Sequence, residues 1–267
     1  NSIVRVLLYL SLGVLAKYFN GLVLTSILCT LISCIFLISR LKVKIKLSDL
    51  KEFKSTLNIA KKYWEYPIYN SIPALMQNVT NELPVFLIYL FYSANDLANY
   101  AIILTFVQSP IITFANALSQ INFSSTSLKI RNGEVIYKDV KNLIFLLLIL
   151  VGLPCLILFI YSPSLIPFIF GEKWSNTVIY MRLLLPSYFI LTIGSTLSTT
   201  IISANRNAFL GLWQIFSFLS SLIVLIYASR SLDFYNFINT LGILNILIYS
   251  MLIIIIVYSA KKPIFLK

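Results

Sequence analysis

Apolar residues fall into long runs separated by short polar segments, and the spacing of those runs is the strongest signal in the chain. Eight stretches approach the ~20 apolar residues that a helix needs to cross the hydrocarbon of a bilayer. They lie at about 3–16, 20–39, 66–92, 97–120, 141–161, 182–204, 209–229 and 237–259. This pattern predicts an all-α polytopic membrane helix bundle of about eight transmembrane helices. The one long break runs from Leu41 to Tyr63, where Leu47, Leu50, Phe53, Leu57, Ala60 and Trp64 recur at spacings of three and four. Asp49 and Glu52 follow Ser48 near the start of this segment and lysines occupy the other face, which fits an amphipathic helix on the membrane surface as well as a solvated linker. Either way it divides two helices before it from six after it.

Composition agrees with the pattern. Of the residues, 59% are hydrophobic and 11% charged, with a mean hydropathy of +0.89, whereas a soluble domain carries roughly 25% charged residues. The net charge of +12 does not indicate nucleic acid, because the basic residues sit in short loops between apolar runs. With the first residues on the cytoplasmic side, 17 of the 21 Lys and Arg fall in inner loops, leaving Lys17, Lys173, Arg182 and Arg230 outside. That arrangement predicts both ends cytoplasmic. The chain opens on Asn1 and runs directly into an apolar stretch without a cleavage-like site, so it reads as a fragment lacking an N-terminal part rather than as one with a signal peptide.

Hydrolytic and metal chemistry find little support. Histidine is absent, Cys29, Cys34 and Cys155 lie within apolar runs as packed free thiols, and no phosphate loop, metal-ligand spacing or nucleophile elbow occurs. No enzyme activity, cofactor or metal is expected.

Polar residues inside the apolar runs carry the functional signal. The stretch Lys61 to Leu90 is broken by Pro67, Pro73 and Pro84 and holds Glu82 mid-span, where a carboxylate costs about 2.5–3.5 kcal/mol on insertion scales. Positions 70, 74, 77, 78, 81 and 82 fall close to one helical face, so Asn70, Gln77, Asn78, Asn81 and Glu82 form a polar stripe turned toward the protein interior. A structural cap on a kinked helix is the competing explanation. In the next run Gln108, Pro110, Asn116, Ser119 and Gln120 give a second polar side, for a water-filled path or for hydrogen bonds between helices. Gly152 and Pro154 predict a kink, and the segment Ser162 to Trp174 reads as a short re-entrant or interfacial piece. The run of small hydroxyl residues from Thr192 to Ser203 allows close helix approach or a wet groove, and Trp213, Gln214 and Asn245 interrupt the last two spans.

Particular residues also carry a family resemblance. These are the stretch from Lys62-Tyr63 to Pro67, the Pro73-Ala74-Leu75 and Leu83-Pro84 steps, Pro110, and Phe170-Gly171-Glu172-Lys173-Trp174 followed by Leu183-Leu184-Leu185-Pro186. In this order they resemble the C-terminal part of the polysaccharide transporter family, the O-antigen and exopolysaccharide flippases of the multidrug/oligosaccharidyl-lipid/polysaccharide exporter superfamily. The resemblance implies two six-helix lobes around a central cavity. Residues 1–40 would then be the last two helices of the first lobe, 41–64 the inter-lobe linker, 65–260 the second lobe and 261–267 a cytoplasmic tail. It implies flipping of a polyprenyl-diphosphate-linked oligosaccharide across the bacterial cytoplasmic membrane by alternating access. The cavity candidates are Glu82, Asn81, Asn78, Gln77, Asn70, Gln108 and Asn116, and the implied partners are the lipid bilayer, that glycolipid, a coupling proton or sodium ion at Glu82, and polysaccharide assembly proteins. Lys and Arg are scarce within the spans, with Arg182 and Arg206 at span ends, which places much of a diphosphate site in the missing part. A multidrug or peptidoglycan-precursor exporter of the same superfamily is the nearest alternative. A membrane glycosyltransferase or polymerase fits less well, because the longest outer loop offers only Glu172.

Overall fold

In the computed structural model the chain divides into two compact units, Asn1–Lys62 and Tyr63–Lys267. The structure describes residues 71–204 and 206–261 and, in the first unit, residues 27, 28, 30–32, 34, 35 and 39, which are helical. The predicted run at 3–16, the amphipathic segment, Asn70, Cys29 and residues 262–267 lie outside the described residues.

The second unit is a bundle of helices, with no strand among the described residues. Helix α1 (Ile72–Phe91) starts with Pro73 in its first turn, where a missing N–H costs nothing, and contains Pro84. Helix α2 (Ala94–Ile103) opens on a reciprocal cap. The Ser93 hydroxyl accepts from the Asp96 N–H at 3.1 Å, and the Asp96 carboxylate accepts from the Ser93 N–H at 3.2 Å. A π-helical turn, Leu104–Gln108, joins α2 to α3 (Ser109–Arg131), so the chain is helical from Ala94 to Arg131. Pro110 follows that turn and supplies no N–H to the carbonyl of Phe106, which accounts for the local loosening.

Beyond a turn at Asn132-Gly133, where Gly133 takes a φ of 79°, come α4 (Tyr137–Leu150) and α5 (Gly152–Phe170). They are separated only at Val151, beside the predicted kink. Helix α6 (Thr177–Leu197) and the short α7 (Thr199–Ser203) are interrupted at Ser198, and α8 (Asn207–Ser231) and α9 (Phe234–Lys261) complete the bundle.

Of the two readings of Ser162 to Trp174, the structure overturns the re-entrant one. It is no re-entrant loop: α5 continues to Phe170, and only Gly171, at φ 93°, stops it ahead of a 3₁₀ turn at Glu172–Trp174. In hydrocarbon every backbone polar group needs an internal partner, which favours continuing the helix over breaking it. Pro163 lacks the N–H that would serve the Phe159 carbonyl, and that oxygen instead accepts from the Ser162 hydroxyl at 3.3 Å and from Arg182 Nε at 2.9 Å.

Among the described residues five helical stretches are long and apolar enough to span a membrane: Ala94–Arg131, Tyr137–Phe170, Thr177–Ser203, Asn207–Ser231 and Phe234–Lys261. Helix α1 is not among them. Its 20 residues would cover ~30 Å, yet Gln77, Asn78, Asn81 and Glu82 dilute its apolar character.

Helix α6 is the most buried of the spans, packed against α9, α3 and α5, while α1 lies along α8. Two small residues set the closeness of α6 and α9. A Cβ on Gly194 would stand 3.1 Å from the Tyr249 ring, and one on Gly242 would stand 3.1 Å from the Leu183 carbonyl oxygen. The Trp213 indole ties α8 to α9 by donating to the Ile248 carbonyl at 2.9 Å. Hydroxyls and an amide join α3 to α7. Asn122 donates to Thr199 and Thr200 at 3.2 and 3.0 Å, and Ser203 lies 2.8 Å from Thr126 and 3.1 Å from Ser127. Large apolar side chains on the outside, such as Phe145, Leu247 and Ile254, remain exposed. This distribution is that of a helical membrane bundle, whose outer surface lies against lipid tails.

Candidate functional site

A cavity of about 530 Å³, lined by polar and apolar side chains together, opens between α1, the π-turn with α3, α6, α8 and α9. From α1 it takes Gln77, Asn81, Glu82 and Val85; from the π-turn and α3, Gln108, Ser109, Thr113 and Asn116; from α6 and its break, Ser195 and Ser198. Trp213 and Gln214 of α8 and Tyr249 and Leu252 of α9 close it.

Five of the seven sequence-predicted residues, Gln77, Asn81, Glu82, Gln108 and Asn116, therefore share one cavity. Asn78 does not line it. It is exposed, four residues before Glu82 on the same side of α1. Asn70 lies outside the described residues.

The wall is built locally by helical spacing. Gln77 and Asn81 are four apart, and Gln77 Nε2 donates to Asn81 Oδ1 at 3.2 Å. On α3, Ser109, Thr113 and Asn116 repeat at four and three, with the Thr113 hydroxyl donating back to the Ser109 carbonyl at 2.9 Å. Glu82 and Asn81 are both exposed to the cavity, which relieves the penalty a carboxylate would incur against lipid. Among the described residues Glu82 has no ion pair, no hydrogen bond joins it to Gln108 or Asn116, and no Lys or Arg lines the cavity. Arg206 is stacked between the rings of Phe209 and Tyr258, 5.5 and 5.2 Å from their centroids, and Arg182 lies near the far end of α6.

A second, enclosed polar cavity of about 30 Å³ adjoins the first and shares Gln77, Asn81, Gln108, Leu191 and Tyr249 with it. Its further polar lining is Thr80, Tyr100, Tyr188, Ser217, Ser221 and Asn245, beside Pro84, Leu225 and Leu241. Here Gln77 Oε1 is buried without a hydrogen-bond partner, the Tyr188 hydroxyl lies against that of Tyr100, and Pro84 supplies no N–H to the Thr80 carbonyl.

Ser109, Thr113 and Gln214 were not singled out as site residues from sequence, although the four-and-three spacing through Gln108, Ser109, Thr113 and Asn116 carried the signal. The hydroxyl run splits between two uses: Ser195 and Ser198 face the cavity, whereas Thr199, Thr200 and Ser203 bond to α3. Ser119, read as part of a polar side, is engaged at that helix contact: its hydroxyl donates to the Thr199 hydroxyl at 3.5 Å, and its carbonyl accepts from the same hydroxyl at 3.3 Å.

Fold and site together define a helical integral membrane protein with an acid-bearing cavity within its bundle. The family model described as polysaccharide biosynthesis protein matches residues 1–179, the greater part of the chain and the part that holds Gln77, Asn81, Glu82, Gln108 and Asn116. The chain belongs to that family, in keeping with its resemblance to the polysaccharide transporters, and is a membrane protein of polysaccharide biosynthesis. Neither a curated protein nor a solved structure matches it.

Proposed function

We propose that this chain forms part of a flippase that moves a polyprenyl-diphosphate-linked oligosaccharide across the bacterial cytoplasmic membrane by alternating access, supplying O-antigen, capsule or exopolysaccharide assembly. The observation that carries the reading is the cavity of about 530 Å³ inside a membrane bundle of a polysaccharide biosynthesis family, walled by amides and hydroxyls around Glu82. Sugars need dense hydrogen bonding to leave water, and amide and hydroxyl walls within a bilayer supply it.

In this reading residues 65–260 act as one transport lobe, 1–40 belong to the other, and 41–64 link them, with both ends of the chain cytoplasmic. Transport proceeds without covalent chemistry, so the protein is not an enzyme. Its partners are the bilayer, the glycolipid, polysaccharide assembly proteins, and a proton or sodium ion that binds at Glu82 to couple transport to an ion gradient.

The test places the full-length polypeptide in a strain lacking its polysaccharide flippase and measures surface polysaccharide, with flipping of lipid-linked glycan and export of cationic dyes measured in parallel. Restored polysaccharide with glycan flipping supports the proposal. Dye export without glycan flipping overturns it in favour of a multidrug exporter.

A further inference from the structure

The connection between the spans Tyr137–Phe170 and Thr177–Ser203 holds a separate groove of about 540 Å³, with Pro167, Phe168, Glu172, Ser175, Ile179 and Arg182 in its lining. A 34-residue helix covers ~51 Å, more than the roughly 40–45 Å of a bilayer with its head groups, so the end of α5 lies at head-group level. Lys173 sits over the Trp174 ring at 5.1 Å from its centroid, an aromatic placement suited to that level.

The groove is amphipathic and carries both signs of charge. Phe168 is 88% exposed and Ile179 49%, giving apolar surface at the mouth. Arg182 spends Nε on the Phe159 carbonyl and one terminal nitrogen on the Ile160 carbonyl at 3.4 Å. A guanidinium has five N–H donors, so others remain for an anion. The Glu172 carboxylate accepts only a 3.3 Å bond from the Ser175 hydroxyl and forms no ion pair with Arg182. One groove therefore presents a guanidinium and a carboxylate that do not neutralise each other.

We propose that this groove binds the head group of a phosphatidylethanolamine-type phospholipid, its phosphate on Arg182, its primary ammonium on Glu172 and its glycerol end against Phe168 and Ile179. Charge complementarity selects this occupant. A singly anionic head group gains Arg182 but is repelled by Glu172, and a quaternary ammonium has no N–H to donate to the carboxylate.

The test uses full-length protein in detergent, exposed to equal amounts of phosphatidylethanolamine, phosphatidylglycerol and phosphatidylcholine with matched acyl chains, with bound lipid counted by native mass spectrometry. The wild type retains phosphatidylethanolamine about two- to five-fold over the other two, the range expected for a partly exposed charge contact. Glu172→Gln abolishes the preference over phosphatidylglycerol, and Lys173→Gln leaves it unchanged. Arg182→Gln lowers retention of all three lipids, since each carries a phosphate, but it also unties the Phe159 carbonyl, so Glu172→Gln is the decisive variant. Equal retention of all three lipids by the wild type, or an unchanged preference in Glu172→Gln, overturns the proposal.

Discussion

Arg182 Nε of α6 donates to the Phe159 carbonyl oxygen of α5 at 2.9 Å, and its guanidinium lies 5.3 Å from the centroid of the Phe159 ring. That carbonyl is the one Pro163 leaves without its helical partner, so a side chain 23 residues away replaces a missing backbone donor. The relationship explains how α5 persists through a proline-containing stretch and why an arginine is tolerated inside a span.

Removing the donor has a defined outcome. Arg182→Gln destabilises the bundle by about 1 kcal/mol, the range for a charge-assisted bond discounted for partial exposure. Pro163→Ala returns an N–H to the same carbonyl, so the double variant recovers part of the loss. Thermal melts of the two single variants and the double variant in detergent measure the coupling, and additive losses would show that the two residues act separately.

Much of the bundle can be read from sequence because hydrocarbon permits few alternatives: an apolar run of spanning length must be helical to pair its backbone. The runs from 97 onward correspond to α2–α3 and α4–α5 through α9, but those at 97–120 and 141–161 end about ten residues before their helices do. Ser119, Asn122, Thr126 and Ser127 look polar enough to leave the membrane, yet each finds a partner near α7, information that one helix alone does not contain. The site shows the same division. Gln77, Asn81, Glu82, Gln108 and Asn116 are conspicuous in apolar runs. Ser109 and Thr113 are not, because Ser and Thr commonly occupy membrane helices by bonding their own backbone. Asn78 falls outside the cavity although its angle on α1 lies between those of Gln77 and Glu82, so a helical wheel alone does not give the lining.

The contact between α6 and α9 separates two glycines. Gly242→Ala pushes a methyl group to 3.1 Å from the Leu183 carbonyl oxygen, a backbone atom that moves only with the helix. Gly194→Ala meets the Tyr249 ring at the same distance, and a side chain yields more readily. Gly242→Ala is expected to cost about 1–3 kcal/mol, the range for overpacking a core. Gly194→Ala costs less but alters transport, because Tyr249 lines the cavity. Melting temperature together with a transport assay distinguishes the two responses.

Tyr92, in the connection between α1 and α2, donates its hydroxyl to the Leu232 carbonyl at 3.1 Å and the Ala228 carbonyl at 3.5 Å, tying that connection to the end of α8. Burial, with smaller contributions from Asp233 and Asp96, pushes its phenol up to about 12 from an ordinary value of 10.0. The protonated form is the one favoured by the fold. Its contribution is therefore fully present below pH 10 and is lost as pH rises through about 12. Tyr92→Phe is about 1 kcal/mol less stable at pH 8, and the gap from wild type narrows in melts taken between pH 10 and 12.

Glu82 lines the larger cavity on α1, next to Asn81, which both cavities share. Two kinds of role predict different responses to its substitutions. A carboxylate that only completes a hydrogen-bonded wall is replaced well by glutamine, which has nearly the same shape and retains an acceptor oxygen. A carboxylate that binds and releases a proton or sodium ion is not, because glutamine carries no charge to exchange. Glu82→Gln in the full-length protein is expected to lower glycan flipping at least ten-fold, leave folding and membrane level unchanged, and remove the dependence of flipping on an imposed ion gradient. Glu82→Asp, which keeps the charge on a shorter arm, retains that dependence at a reduced rate. Wild-type flipping and surface polysaccharide in Glu82→Gln would make Glu82 a structural element of the wall and move the coupling site elsewhere.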